Sequence, residues 1–303
     1  MQRNQSSILF FQLLGFQHAQ SLRYPLFCFF LLIYIIILSG NFLIMMLVLL
    51  SKKLRSPMYF FLSHLSLCDV FCTTNIIPNM LHILLCEWCS QESQMNMSKT
   101  NQTEAFEFVL LGSMSYDRYL AICNPLHYTS TMGHGVCLKL VGASWLVGLL
   151  VTLNTSLMMF SSDFCGPNII DHFICELGPL LKLSCSNTSM LETLIFVLSI
   201  PIIVIPFVFI IASYVCIFLT VLKIPSSTGR KKTFSTCSSH LTSVSTYYGT
   251  LTAIYVVPNR GHALSKALYV VYTVVTPLFN PVIYSLRNQE IRKAFEMLLN
   301  KIK

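Results

Sequence analysis

Apolar runs long enough to cross a bilayer recur along this chain, divided by short polar and basic segments. A membrane-spanning helix needs about 20 predominantly apolar residues. Residues 24–50, 57–85, 136–160, 191–222, 235–258 and 264–286 each satisfy that length. Pro57 suits a first helical turn, while Pro78, Pro201 and Pro206 predict kinks inside their spans. Between the spans, residues 51–56 and 223–232 read as basic loops, and residues 161–190 as a polar loop carrying Cys165, Cys175 and Cys185. Residues 288–301 place Ile291, Ala294, Phe295, Leu298 and Leu299 on one face. That spacing predicts a short amphipathic helix on the membrane surface.

If the alternation holds, a third span falls at about residues 93–122, and there the pattern breaks. From Gln91 to Glu107 only Met95, Met97, Ala105 and Phe106 are apolar, and Glu92, Lys99, Glu104 and Glu107 are charged. Each mid-span charge costs roughly 2.5–3.5 kcal/mol on the insertion scale. A helix here therefore needs a very polar bundle interior. The expected chain is all-α: a seven-helix membrane domain over residues 24–286, a tail at 1–23, and a tail with a surface helix at 287–303.

Composition agrees, with 54% hydrophobic and 11% charged residues against about 25% charged in a soluble domain. The formal net charge of +8 does not predict nucleic-acid binding, because no basic face carries a reading element. It follows the loops instead. With the N-terminus outside, 14 of the 20 Lys and Arg fall on the inner side, Lys52, Lys53, Arg55, Arg230, Lys231 and Lys232 among them. This bias orients the chain and favours contact with anionic membrane lipid. The sequons at Asn4 and Asn187 then lie outside. Of the 12 cysteines, those in apolar segments read as free and buried, and those in polar loops as disulfide candidates.

Ionisable and amide groups inside the spans are functional candidates, because hydrocarbon does not solvate them. They are Asn41 in the first span, Asp69 in the second, and the pair Asp117-Arg118 near the end of the third. No catalytic pair, metal cluster or pair of broken half-helices stands out, which argues against an enzyme, channel or transporter.

Several motifs occur in order. They are Gly40-Asn41; Pro57-Met58-Tyr59-Phe60-Phe61-Leu62-Ser63 running to Asp69; and Met114-Ser115-Tyr116-Asp117-Arg118-Tyr119 continuing to Tyr128. Ser213-Tyr214 follows, then Lys232-Thr233-Phe234-Ser235-Thr236-Cys237-Ser238-Ser239-His240-Leu241, Tyr248-Gly249-Thr250, and Pro277-Leu278-Phe279-Asn280-Pro281-Val282-Ile283-Tyr284. Together they resemble the olfactory receptors of the rhodopsin-like family, except over roughly residues 86–106. The resemblance implies a plasma-membrane receptor for small volatile odorants, coupled to a heterotrimeric stimulatory G protein that raises cAMP.

By that resemblance Arg118 meets the G protein, Asp117 and Tyr119 flank it, and Tyr214, Tyr248 and Tyr284 act in the switch. Asn41, Asp69, Glu107 and Asn280 form a polar core. Two occupants stay open for it, a sodium ion or a direct hydrogen-bond network without one. Leu198, Ile202, Tyr248, Leu251, Thr252, Tyr255 and Thr273 match positions of the odorant pocket. The resemblance pairs Cys165 with Cys185 and ties Cys175 to the top of the third helix. The family's cysteine position there is Ser93, which leaves Cys89 or Cys86 as a substitute, or else Cys175 free. Residues 101–112 resemble the start of such a receptor more than the middle of its third helix. With a polar third span that lacks its cysteine, the alternative is a non-functional receptor product or one misassembled at the gene over this stretch.

Overall fold

The computed structural model describes residues 11–13, 22–85, 90–91, 93–160, 169–170, 183–185, 189–256 and 262–302. Among the described residues the chain is an all-α bundle of seven long helices. Five of them are long and apolar enough to cross a membrane, and the chain is a multi-pass membrane protein. The spans are α1 (Arg23–Leu50), α2 (Pro57–Leu85), α3 (Ser93–Cys123), α5 (His134–Phe160), α6 (Ser189–Leu222), α7 (Ser227–Val256) and α8 (His262–Arg287). Among the described residues two short helices, α4 (Pro125–Thr131) and α9 (Gln289–Ile302), accompany them.

The least apolar span is the central one. At 31 residues, α3 packs against α2, α5 and α6. Outer faces of the other spans are apolar and exposed, as at Leu149 and Leu153 of α5 and Phe196 and Ile205 of α6. Inward faces bury Phe61, Leu62, Leu65, Phe106, Leu110 and Leu111 in one core. Gly40 lets α1 close on α8, because a Cβ there would lie 3.0 Å from the Pro281 Cβ.

Three elements differ from the sequence reading. The sixth span begins at Ser227, so Gly229 and Arg230 are helical rather than loop. The Ser226 hydroxyl caps it, accepting the Gly229 N–H at 3.2 Å. The proline after Asn124 ends α3 and also starts α4, at the position where its missing N–H costs nothing. Residues 11–13, assigned to a tail, pair antiparallel with 90–91 and parallel with 169–170 in a small sheet. Helix α9 is capped by the Asn288 carboxamide oxygen, which accepts the Glu290 N–H at 3.1 Å and the Tyr59 hydroxyl at 3.1 Å. That second bond fixes α9 against α2.

Candidate functional site

The site is built at the C-terminal end of α3. Asp117 is fully buried, and the Arg118 side chain is 12% exposed. Arg118 Nε donates to Asp117 Oδ2 at 2.9 Å, and a second guanidinium nitrogen reaches the same oxygen. The other carboxylate oxygen, Oδ1, accepts the Tyr128 hydroxyl at 2.8 Å. Both oxygens of Asp117 are therefore engaged, one by a neighbour in sequence and one by α4. Burial and the Asp117 charge push the Tyr128 phenol above its ordinary range, so it stays protonated and donating. Tyr128 stood inside the motif without an assigned role, and the helix that aims it was signalled only by Pro125.

A second lock joins the fifth and sixth spans. The Tyr214 hydroxyl and His240 Nδ1 are 2.8 Å apart, and the two rings stack with centroids 5.8 Å apart. The same hydroxyl donates to the Cys237 carbonyl at 3.4 Å. His240 is 1% exposed and Tyr284, on α8, is fully buried nearby in the same bundle. Above this level Tyr248 donates to the Ile203 carbonyl at 3.3 Å and packs on Phe207 and Phe108. Tyr119 is partly buried against the same core. His240 is a member of this pair that the sequence reading does not single out. Its signal was an ionisable ring inside a span.

The polar core is partly assembled by direct bonds. Asn280 Nδ2 donates to both oxygens of Asp69, at 3.2 and 3.0 Å. The Ser243 hydroxyl donates to Asn280 Oδ1. Asn41 Nδ2 donates to the Ile37 and Pro277 carbonyls at 3.1 and 3.3 Å, while its Oδ1 is buried with no partner. Glu107 is 5% exposed and lies within electrostatic reach of Asp69. It is faced by the Tyr247 phenol and the Cys68 thiol, and Glu104 is faced by the Tyr272 phenol. Tyr247 donates to the Glu104 carbonyl at 3.2 Å, and Tyr272 to the Tyr247 hydroxyl at 3.3 Å. The very polar interior that α3 requires is supplied by tyrosines of α7 and α8. Among the described residues no group of three or more His, Cys, Asp and Glu is placed to hold a metal ion.

The expected pocket residues separate into two sets. Ile202 and Leu251 pack on the core, Tyr248 is buried, and Thr273 is buried with its hydroxyl on the Tyr269 carbonyl. Leu198 and Thr252 are exposed, and Thr252 donates to the Tyr248 carbonyl of its own helix. Tyr255 lies on α7. Cys185 is disulfide-bonded. Cys89, Cys165, Cys175, Asn4 and Asn187 fall outside the described residues. The cysteines of the spans are free, but Cys28 and Cys216 are exposed rather than buried.

Comparison with known proteins gives one family throughout. The profile described as "Olfactory receptor" matches residues 28–301. Human Olfactory receptor 11L1 is 44% identical over 310 aligned positions, covering 99% of this chain and 94% of the relative. Human Olfactory receptor 10C1 is 42% identical, covering 99% and 98%. Human Olfactory receptor 5I1 is 43% identical, covering 98% and 96%.

Proposed function

The chain belongs to the olfactory receptor family, and from that premise we propose that it is an odorant receptor rather than an enzyme, signalling through a stimulatory G protein to raise cAMP. The observation that carries the reading is the restraint of Arg118. Its charge is permanent and its five donors form a rigid fork, yet in this structure that fork is spent on Asp117. Such a group is ready to exchange partners when the bundle opens. The Tyr214–His240 bond holds the fifth and sixth spans together at the same time. A ligand that binds better when these spans separate would shift the population toward an open state. Arg118 would then meet the G protein.

The membrane would be the plasma membrane by the family resemblance, and the basic loops that crowd the Arg118 end of the bundle favour an N-terminus outside. The ligand would be a small volatile molecule held near Ile202, Tyr248, Leu251 and Thr273, an apolar wall with a few hydroxyls. Leu198, Thr252 and Tyr255 belong to the same reading at its edge. The Cys185 disulfide would be made with Cys165, leaving Cys175 for Cys89, and Asn4 and Asn187 would carry glycans. The polar core has the donor chemistry for a sodium ion. Asp69 and Glu107 are hard oxygen donors, and Asn41 Oδ1 is buried without a partner. Such an ion would neutralise part of the core's negative charge in the resting state.

The test is Arg118→Ala in cells that carry a cAMP reporter, with surface staining read alongside. The expected result is normal surface staining with ligand-evoked cAMP lost. Retained cAMP responses would overturn the role given to Arg118. An unmutated receptor that never reaches the surface would establish the alternative, a product that does not signal, which the missing cysteine at Ser93 favours.

A further inference from the structure

The fifth and sixth spans meet over only a short stretch. On the Arg118 side their separation leaves an open cleft of about 400 Å³ between α6 and α7. Ile217, Val221 and Leu241 line it, with Phe218 and Phe234 at its rim. Phe218 and Phe234 are 57% and 62% exposed. Arg230 is the one charged residue of this lining, at the membrane-surface end of α7. Its guanidinium makes no ion pair among the described residues. Lys231 and Lys232 follow it in sequence, and Lys223 precedes it.

An apolar groove that opens sideways from a membrane bundle faces acyl chains rather than water. A guanidinium at its mouth sits where phosphates lie, and basic side chains there draw anionic lipid. We propose that this cleft holds one acyl chain of an anionic phospholipid, with the lipid phosphate on Arg230. The leaflet would be the cytoplasmic one, by the orientation given above. Tyr214 and Cys237 form part of the wall, and their own hydrogen bond joins the two spans.

The experiment uses purified full-length receptor in nanodiscs, without ligand or G protein, so its outcome is independent of whether the receptor signals. Phosphatidylglycerol and phosphatidylcholine analogues with a photoactivatable acyl chain are crosslinked, and labelled peptides are mapped by mass spectrometry. The phosphatidylglycerol analogue should label peptides covering residues 214–222 and 234–241 more than phosphatidylcholine does. Arg230→Gln, an exposed position, should lower that labelling roughly fivefold, the effect of one basic charge near the surface. Leu241→Trp, which fills the cleft, should remove labelling by both lipids. Equal labelling of the unmutated receptor by the two lipids would overturn the proposal. So would labelling undiminished in Arg230→Gln or in Leu241→Trp.

Discussion

Tyr214 and His240 hold the fifth and sixth spans together through one 2.8 Å hydrogen bond between stacked rings. His240 is buried and Tyr214 half-buried. A hydrogen bond of this kind contributes about 1 kcal/mol net. His240→Phe keeps the ring's bulk and removes the bond. It should raise ligand-independent cAMP roughly fivefold relative to surface level, by the exponential relation between coupling energy and population. Basal cAMP unchanged at equal surface expression would show that the pair does not restrain the resting state.

Asp117 shares its carboxylate between Arg118 and Tyr128. Tyr128→Phe frees one oxygen and should also raise basal signalling, but less than Asp117→Asn, which removes the charge that holds Arg118. The phenol's pKa is raised by burial and by Asp117. A raised folded pKa means its contribution is fully present below the unfolded value of about 10 and is lost only as pH rises beyond it. Basal activity of membranes should therefore be flat between about pH 6 and 9 as far as Tyr128 is concerned. A step in that range that disappears in Tyr128→Phe would contradict the assignment.

Asp69 is buried with Asn280 on both its oxygens. If sodium completes this core, the melting temperature in detergent should be higher in sodium chloride than in choline chloride. Asp69→Asn should abolish the difference. Equal melting in the two salts would leave the direct hydrogen-bond network as the occupant of the core.

Glycines in the spans should respond according to what faces them. Gly40→Ala brings a Cβ to 3.0 Å from Pro281 Cβ and 3.2 Å from its Cγ. Neither is a flexible chain end, so α1 and α8 must part, at a cost of about 1–3 kcal/mol. Gly112→Ala meets Pro206 Cβ at 3.3 Å and should cost less. Gly249→Ala meets nothing within 4 Å and should be neutral or slightly stabilising through helix propensity. Thermal denaturation of the three variants should follow that order.

The spans were legible because bilayer thickness imposes a length on apolar runs, and α2 begins at Pro57 and ends at Leu85 as its hydropathy suggests. The start of α7 was not legible from charge, because Gly229 and Arg230 read as loop and only the Ser226 cap marks the helix. Helix α4 fully buries none of its residues and half-buries only Tyr128 and Thr131, so it leaves no hydrophobic period to read. The site was legible in part. Arg118, Asp117 and Asp69 stand out as charge in hydrocarbon, and the family resemblance adds Asn280. Tyr128 does not, since its partner is one that only folding brings near, and His240 shows only as an ionisable ring inside a span.

The polar stretch of α3 was the least legible feature, and it yields the strictest test of the bundle. Its partners lie far along the chain: Tyr247 reaches the Glu104 carbonyl, and Tyr272 reaches Tyr247. Neither tyrosine looks polar in a hydropathy plot, yet each lays a phenol against a buried carboxylate. The three helices are thus joined by a relay in which Tyr247 is the middle member. Tyr272→Phe removes one bond and should lower stability by about 1 kcal/mol. Tyr247→Phe removes two and should cost more. In the double variant the Tyr272 bond is already gone, so the two losses should sum to less than their separate values. Thermal unfolding of the four proteins, matched for detergent and salt, measures this directly. Strict additivity would mean that the two phenols act independently, and that something other than this relay keeps Glu104 and Glu107 inside the bundle.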